Sequence, residues 1–175
     1  MLLVDREFDI FISSDKIQKR VAELASEIAR EYREKDPLFI VILNGAFIFA
    51  ADLIKAIEFP CQVSFVKVSS YQGVENSGSI KTLFGLSDNL ENRNLIIIDD
   101  IVDTGNTMDF MVNTLRPSKP ASIECVSLLL KPDAYNNKYE LKYIGFTIPN
   151  DFVVGYGLDY NGYGRNLKDL YHIKN

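Results

Sequence analysis

Residues 95–107 read LIIIDDIVDTGNT, and three kinds of chemistry follow one another there. Leu95 to Ile98 is an unbroken apolar run, the pattern of a strand buried on both faces of a parallel sheet. Asp99 and Asp100 follow at its carboxyl end, the end at which open α/β sheets meet their ligands. Asp103, Thr104, Gly105, Asn106 and Thr107 then form a short polar loop. Beyond it Met108, Met111, Val112 and Leu115 recur at helical spacing. The loop therefore delivers the chain into a helix N-terminus. Unpaired amides, hydroxyl side chains and a glycine that admits close approach make a cradle for phosphate. Carboxylates beside such a cradle accept hydrogen bonds from sugar hydroxyls, so the stretch reads as a ribose 5-phosphate site.

Asp-Thr-Gly between a strand and a helix is also ordinary turn and capping chemistry. Two adjacent acids at the end of a buried strand, where unpaired charge is costly, favour the functional reading. Other phosphate motifs fit badly. The chain has no Gly-Lys-Ser or Gly-Lys-Thr for a P-loop and no G-x-G-x-x-G after this strand.

The segment IIIDDIVDTGNT resembles the PRPP-binding signature of the type I phosphoribosyltransferases: a hydrophobic strand, two acids, two apolar residues, then Asp-Thr-Gly-x-Thr. Asp99 stands where glutamate is commoner in that family. The resemblance implies an α/β fold with a central, mainly parallel twisted sheet flanked by helices. It also implies a single domain, with a core of about 13–149 and a small hood from about 1–12 and 150–175.

Composition agrees with one globular unit. The chain has 175 residues, 47% hydrophobic and 25% charged, enough for a sizeable core. Its formal charge of −5 argues against a surface built for nucleic acid or an anionic membrane. An anionic substrate then requires local donors and a divalent cation. Asp5, Arg6 and Glu7 come too early for a secretory signal, and the apolar run 38–51 is too short to span a membrane. Cys61 and Cys125 lack metal-ligand spacing and read as buried small hydrophobes. A cytoplasmic protein is expected.

Ser14 or Asp15 can cap a helix whose stripe is Ile17, Val21, Leu24, Ala25, Ile28 and Tyr32, ending by Asp36-Pro37. Leu38 to Leu43 is the next buried strand, and Asn44-Gly45 turns into a helix over Ala46 to Ile57. The turn falls where purine enzymes of the resembling family hold pyrophosphate with main-chain amides, often across a non-proline cis peptide, here Leu43–Asn44. The middle residue of that loop is often Lys or Arg, and Asn44 replaces it. Cys61 to Val68 reads as a strand. The polar stretch 69–80 after it reads as a surface loop. In the family a Ser-Tyr pair there, Ser70 and Tyr71, begins a segment that closes over the site and excludes water.

Ile123 to Leu130 is a further strand, ended by Lys131-Pro132. If it lies beside Leu95 to Ile98, Lys131 enters the same crevice as Asp103. The resemblance implies that Lys131 donates to the exocyclic oxygen of a 6-oxopurine, which disfavours adenine. The tail DFVVGYGLDYNGYGRNL, 151–167, reads on its own as an edge strand and turns with half-buried tyrosines. It resembles the hood segment of the hypoxanthine-guanine branch. Carried over residue by residue, Phe152 stacks on the purine, the Val153 backbone reads its pyrimidine edge, Asp159 holds Mg2+ and Arg165 meets pyrophosphate. Asp103 is then the general base toward the purine N7. His172 reads as an exposed tail residue.

What the resemblance implies is purine salvage: PRPP plus hypoxanthine or guanine gives the nucleoside monophosphate, IMP or GMP, plus pyrophosphate, in a homodimer or homotetramer with no nucleic-acid or membrane partner. A regulatory PRPP-fold protein would lose the base-side residues and gain a basic face. A receiver domain would carry its acidic pair near the start and its lysine far downstream. Neither pattern is present.

Overall fold

Strands joined through a helix run in the same direction, so the alternation along the middle of the chain builds a parallel sheet. The computed structural model describes residues 1–70, 80–82, 89–136 and 138–174, with only the backbone at 69–70 and 80–82. In chain order the elements are β1 (Leu2–Leu3), β2 (Arg6–Ile12), α1 (Ser14–Tyr32), β3 (Leu38–Leu43), α2 (Phe47–Ala56), β4 (Gln62–Ser70) and β5 (Ile80–Thr82). There follow β6 (Asn94–Val102), α3 (Asn106–Leu115), a short 3-10 turn (Arg116–Ser118), β7 (Ser122–Leu130), β8 (Tyr143–Thr147), β9 (Val153–Val154) and β10 (Leu170–Ile173).

The larger sheet has the order β5-β4-β3-β6-β7-β8, parallel throughout except for the edge pair β4 and β5. From β3 the chain moves to β4 on one side; from β6 it moves to β7 on the other. Right-handed crossovers in opposite directions put α2 and α3 on opposite faces. The core divides accordingly. Phe39, Val41, Ile96 and Ile98 pack with α1 and α2, whereas Leu38, Ile40, Leu95 and Ile97 pack with Met108, Met111 and Leu115 of α3. Between β3 and β6 the carboxyl ends of the strands part, which opens the crevice that such sheets use for ligands.

Helix α1 buries Ile17, Val21, Leu24, Ala25, Ile28 and Tyr32, the stripe its spacing predicts. Leu24 is fully buried, so Leu24→Ala removes about 2–5 kcal/mol of stability. The helix start differs from expectation. Ser14 is the first helical residue, and its amide donates to Asp169 Oδ1 at 2.7 Å. The capping acceptor thus comes from the far end of the chain.

Two further corrections concern strands. β6 runs on to Val102, with Ile101 and Val102 paired to Leu129 and Leu130, so Asp99 and Asp100 lie inside the strand and not after it. Ladder hydrogen bonds to β7 carry the strand past the two acids. His172 lies in β10, paired with β2, and stacks on Phe11 at 5.0 Å between ring centroids. It is not a loose tail residue. The N- and C-terminal segments share a second antiparallel sheet of order β1-β2-β10-β9. Cys61 and Cys125 are free thiols, Cys125 buried.

Candidate active site

The crevice between β3 and β6 is walled by the two turns that leave those strands. The Leu43–Asn44 peptide is cis. Gly45 lies against Asp100 so closely that a Cβ there would stand 1.6 Å from Oδ2. Across the crevice, Gly105 takes a left-handed backbone (φ 88°) as the N-cap of α3, and its carbonyl accepts from Asp109 N at 2.9 Å. The amides of Thr107 and Met108 have no acceptor among the described residues. Free amides at a helix N-terminus are the donors that a phosphate cradle requires. The Tyr135 ring backs Gly105, and Asn136 N donates to Thr104 O at 3.3 Å, so the β7–β8 connection braces the loop. The cavity so formed is about 310 Å3 and includes Asp99, Asp100 and Thr104 to Thr107.

A second cavity of about 390 Å3 adjoins it, lined by Lys131, Phe152, Val153, Asp159 and Arg165. Gly45, Asp100, Ile101 and Asp103 line both cavities, so a ligand in one meets a ligand in the other along a common wall. Lys131 leaves β7 beside β6, and its Nζ lies 3.0 Å from Asp103 Oδ2. Phe152 is 45% exposed, a large flat face left open at the rim. Its ring stands edge-on to Tyr160, which fixes its tilt. Asp159 receives Gly162 N at 2.7 Å and pairs with Arg165. Arg165 Nη1 donates to Gly157 O at 2.8 Å.

A family model described as "Phosphoribosyl transferase domain" matches residues 13–161. The chain belongs to the phosphoribosyltransferase family. Its similarity is to the hypoxanthine-guanine branch. It is 42% identical over 159 residues to the hypoxanthine-guanine phosphoribosyltransferase of Bacillus subtilis, covering 90% of this chain and 88% of the relative. With the Mycobacterium tuberculosis enzyme of that name it shares 41% over 165 residues, 90% and 82% of the two lengths. It is also 40% identical over 159 residues to the bifunctional protein TilS/HprT of Listeria monocytogenes, and spans 24% of that protein. Among solved structures, a hypoxanthine-guanine phosphoribosyltransferase from Bacillus anthracis superposes with a TM-score of 0.90 at 34% identity, covering 97% and 100% of the chains. A hypoxanthine phosphoribosyltransferase from Staphylococcus aureus gives 0.89 at 36%, covering 95% and 91%.

In this phosphoribosyltransferase the two acids differ in burial. Asp99 is 4% exposed and Asp100 is half-buried. Burial pushes the Asp99 carboxyl well above the usual range, and the adjacent Asp100 charge pushes it further. Burial raises Asp100 as well, against hydrogen bonds from Asp99 and from the amides of Asp100 and Ile101 and the charge of Arg165. Asp100 N donates to Asp99 Oδ1 at 3.0 Å. A desolvated acid pair in an open cavity is set up to exchange hydrogen bonds with hydroxyls brought by a ligand.

The structure gathers Gly45, Asp99, Asp100, Asp103 to Thr107, Lys131, Phe152, Val153, Asp159 and Arg165 around the paired cavities; Asn44 lines neither cavity and adjoins them through Gly45. Ser70 ends β4 and is described in backbone only; Tyr71 lies outside the described residues. Sequence reasoning missed Tyr135 and Gly157. Nothing local marks either one, since the Tyr135 contact to Gly105 and the Gly157 contact to Gly45 both join distant parts of the phosphoribosyltransferase chain. A larger cavity of about 710 Å3 lies at the amino end of β7, lined by Arg116, Lys119, Glu124 and Lys142. It shares only Met108 with the first cavity. Among the described residues no helix is long and apolar enough to cross a membrane.

Proposed function

We propose that this chain transfers the 5-phosphoribosyl group of PRPP to hypoxanthine and guanine, releasing pyrophosphate and giving IMP and GMP, the reaction of purine salvage. The observation that carries the reading is the common wall: Asp100 and Asp103 face both a phosphate cradle and an aromatic-rimmed cavity holding Lys131. Thr104 to Thr107 hold the 5-phosphate through amides and hydroxyls. Asp99 and Asp100 accept the ribose hydroxyls. Asn44-Gly45 and Arg165 face the pyrophosphate, Phe152 stacks on the base, and Val153 presents its backbone to the pyrimidine edge.

In the reaction the anomeric C–O bond to pyrophosphate breaks and a purine nitrogen forms the new bond from the opposite face. Positive charge builds on the ribose while the leaving group becomes more anionic. Positioning and electrostatics therefore supply most of the rate. Asp103 takes the proton from N7 of the purine. Lys131, paired with Asp103 in the free protein, donates to the oxygen at C6. The lysine ammonium has three donors, so the arriving purine adds an acceptor without requiring the Asp103 pair to break.

Asp159 and the oxygens of PRPP suit Mg2+, which takes one or two carboxylates and completes its shell with substrate phosphate and water. Bound there, the ion would offset the charge of the pyrophosphate. The core of about 13–149 carries the sugar-phosphate cradle together with Asp103 and Lys131, and the hood of about 1–12 and 150–175 carries Phe152, Val153, Asp159 and Arg165. A cytoplasmic homodimer or homotetramer is the assembly proposed. The decisive assay is pyrophosphate release from PRPP and Mg2+ with hypoxanthine, guanine, xanthine and adenine offered separately. Release with hypoxanthine and guanine is expected; activity on adenine alone would overturn the role of Lys131, and no release with any base would overturn the activity.

A further inference from the structure

Three consecutive residues of the C-terminal segment, Gly155, Tyr156 and Gly157, have positive φ values of 105°, 48° and 108°. Glycine adopts such backbones freely. An L residue between two of them does so only when its surroundings hold it. Tyr156 is 3% exposed, and its hydroxyl donates to Asp52 Oδ2 on α2 at 2.7 Å. Gln18 of α1 donates to the same oxygen at 2.7 Å, and Lys55 pairs with the other at 2.8 Å. At the main chain, Tyr156 N donates to Leu167 O and Gly157 N to Arg165 O.

The consequence lies one residue on. Gly157 is so close to Gly45 that a Cβ there would stand 2.1 Å from the Gly45 carbonyl oxygen. Gly157 O in turn accepts from Arg165. Asp52 belongs to the helix that leaves the Asn44-Gly45 turn, about 10 Å further along it at 1.5 Å per residue. The tyrosine side chain therefore lies along α2, with its hydroxyl end tied to the helix and its backbone end pressed on the turn. We infer that Tyr156 is a positioning residue: its bond to Asp52 sets the spacing between the Gly157–Arg165 side of the site and the Gly45 turn, and so the fit of the pyrophosphate half of PRPP.

The purine half is fixed separately. Val153 is held by β9–β10 pairing, with Val153 opposite His172, which does not pass through Tyr156. Loss of the hydroxyl should then loosen one half of the site and leave the other. This rests on the phosphoribosyl-transfer reading, and wild-type activity tests that reading on its own. Steady-state kinetics of Tyr156→Phe, Asp52→Ala, the double variant and Lys55→Ala give the test. Tyr156→Phe keeps the ring and packing volume, and thermal melting confirms folding. The expected result is a rise of about tenfold in KM for PRPP in Tyr156→Phe and in the Asp52 variant, with KM for hypoxanthine within about twofold of wild type. The double variant should be no worse than either single one, because both remove the same bond. Lys55→Ala, which leaves the Tyr156–Asp52 bond in place, should match wild type. An unchanged KM for PRPP in folded Tyr156→Phe, equal rises for both substrates, additive losses in the double variant, or a Lys55→Ala defect as large as that of Tyr156→Phe would each overturn the inference.

Discussion

Gly45→Ala tests the closeness on which the site depends. Gly45 is not in the left-handed region, so alanine adds no backbone strain; its whole effect is the new Cβ. That atom would stand 1.6 Å from Asp100 Oδ2 and 2.5 Å from its Cγ, and the separation must open to at least 3.4 Å for ordinary contact. The ladder of β6 holds the Asp100 backbone and Gly157 pins the Gly45 turn from behind, so the Asp100 carboxylate swings aside into the cavity by more than an ångström. Misplacement of about 1 Å at a reacting centre costs on the order of 100-fold in rate, so kcat/KM for PRPP should fall by about that factor or more. The overpacking costs roughly 1–3 kcal/mol, or about 2–12 °C in Tm for a chain of this size. Gly145→Ala is the control. Its Cβ would meet the Leu128 carbonyl at 2.4 Å, between β7 and β8 and away from the cavities, so it should lose comparable stability while the folded enzyme keeps kcat/KM within about twofold. If Gly45→Ala retains kcat/KM within threefold of wild type, the Gly45–Asp100 contact does not position the substrate.

Asp103→Asn should cut kcat by about 10²–10⁴-fold while PRPP affinity by calorimetry stays near wild type; equal loss of both would make Asp103 part of the cradle. Lys131→Met should weaken hypoxanthine and guanine binding by about tenfold or more and narrow the preference over adenine, because a buried donor to the C6 oxygen is lost; unchanged base preference in pyrophosphate-release assays would exclude that role. For Asp99, burial raises the carboxyl pKa in the folded state above its ordinary 3.8, so the folded protein holds a proton that the unfolded chain has released. Stability without ligand should accordingly fall as pH rises from about 3.8 through the raised value. Asp99→Asn removes that dependence and should melt higher than wild type at neutral pH while binding PRPP more weakly. A variant that melts lower at neutral pH would show that the ionised Asp99 is compensated within the fold.

The amino-acid sequence alone determined whatever depends on neighbours along the chain. Leu38–Leu43 is a strand with the expected ends, the α1 stripe is buried as its spacing requires, and 94–115 folds as strand, polar loop and helix. These follow from side-chain periodicity and from the chemistry of a helix N-terminus, which few residues suffice to write. Only the tertiary structure decided that Asp99 and Asp100 lie within β6, because the ladder that carries the strand past them is supplied by β7. Only it brought Asp169 to the start of α1, Tyr135 beneath Gly105 and Tyr156 to Asp52, contacts that span from 30 to 155 positions. The order of the sheet and the pairing of β10 with β2 create them, and no local pattern encodes which distant side chain will fill a given gap. The loop of free amides was legible because its donors follow one another in sequence. The spacing of the crevice walls was not, because two glycines far apart in the chain set it by touching.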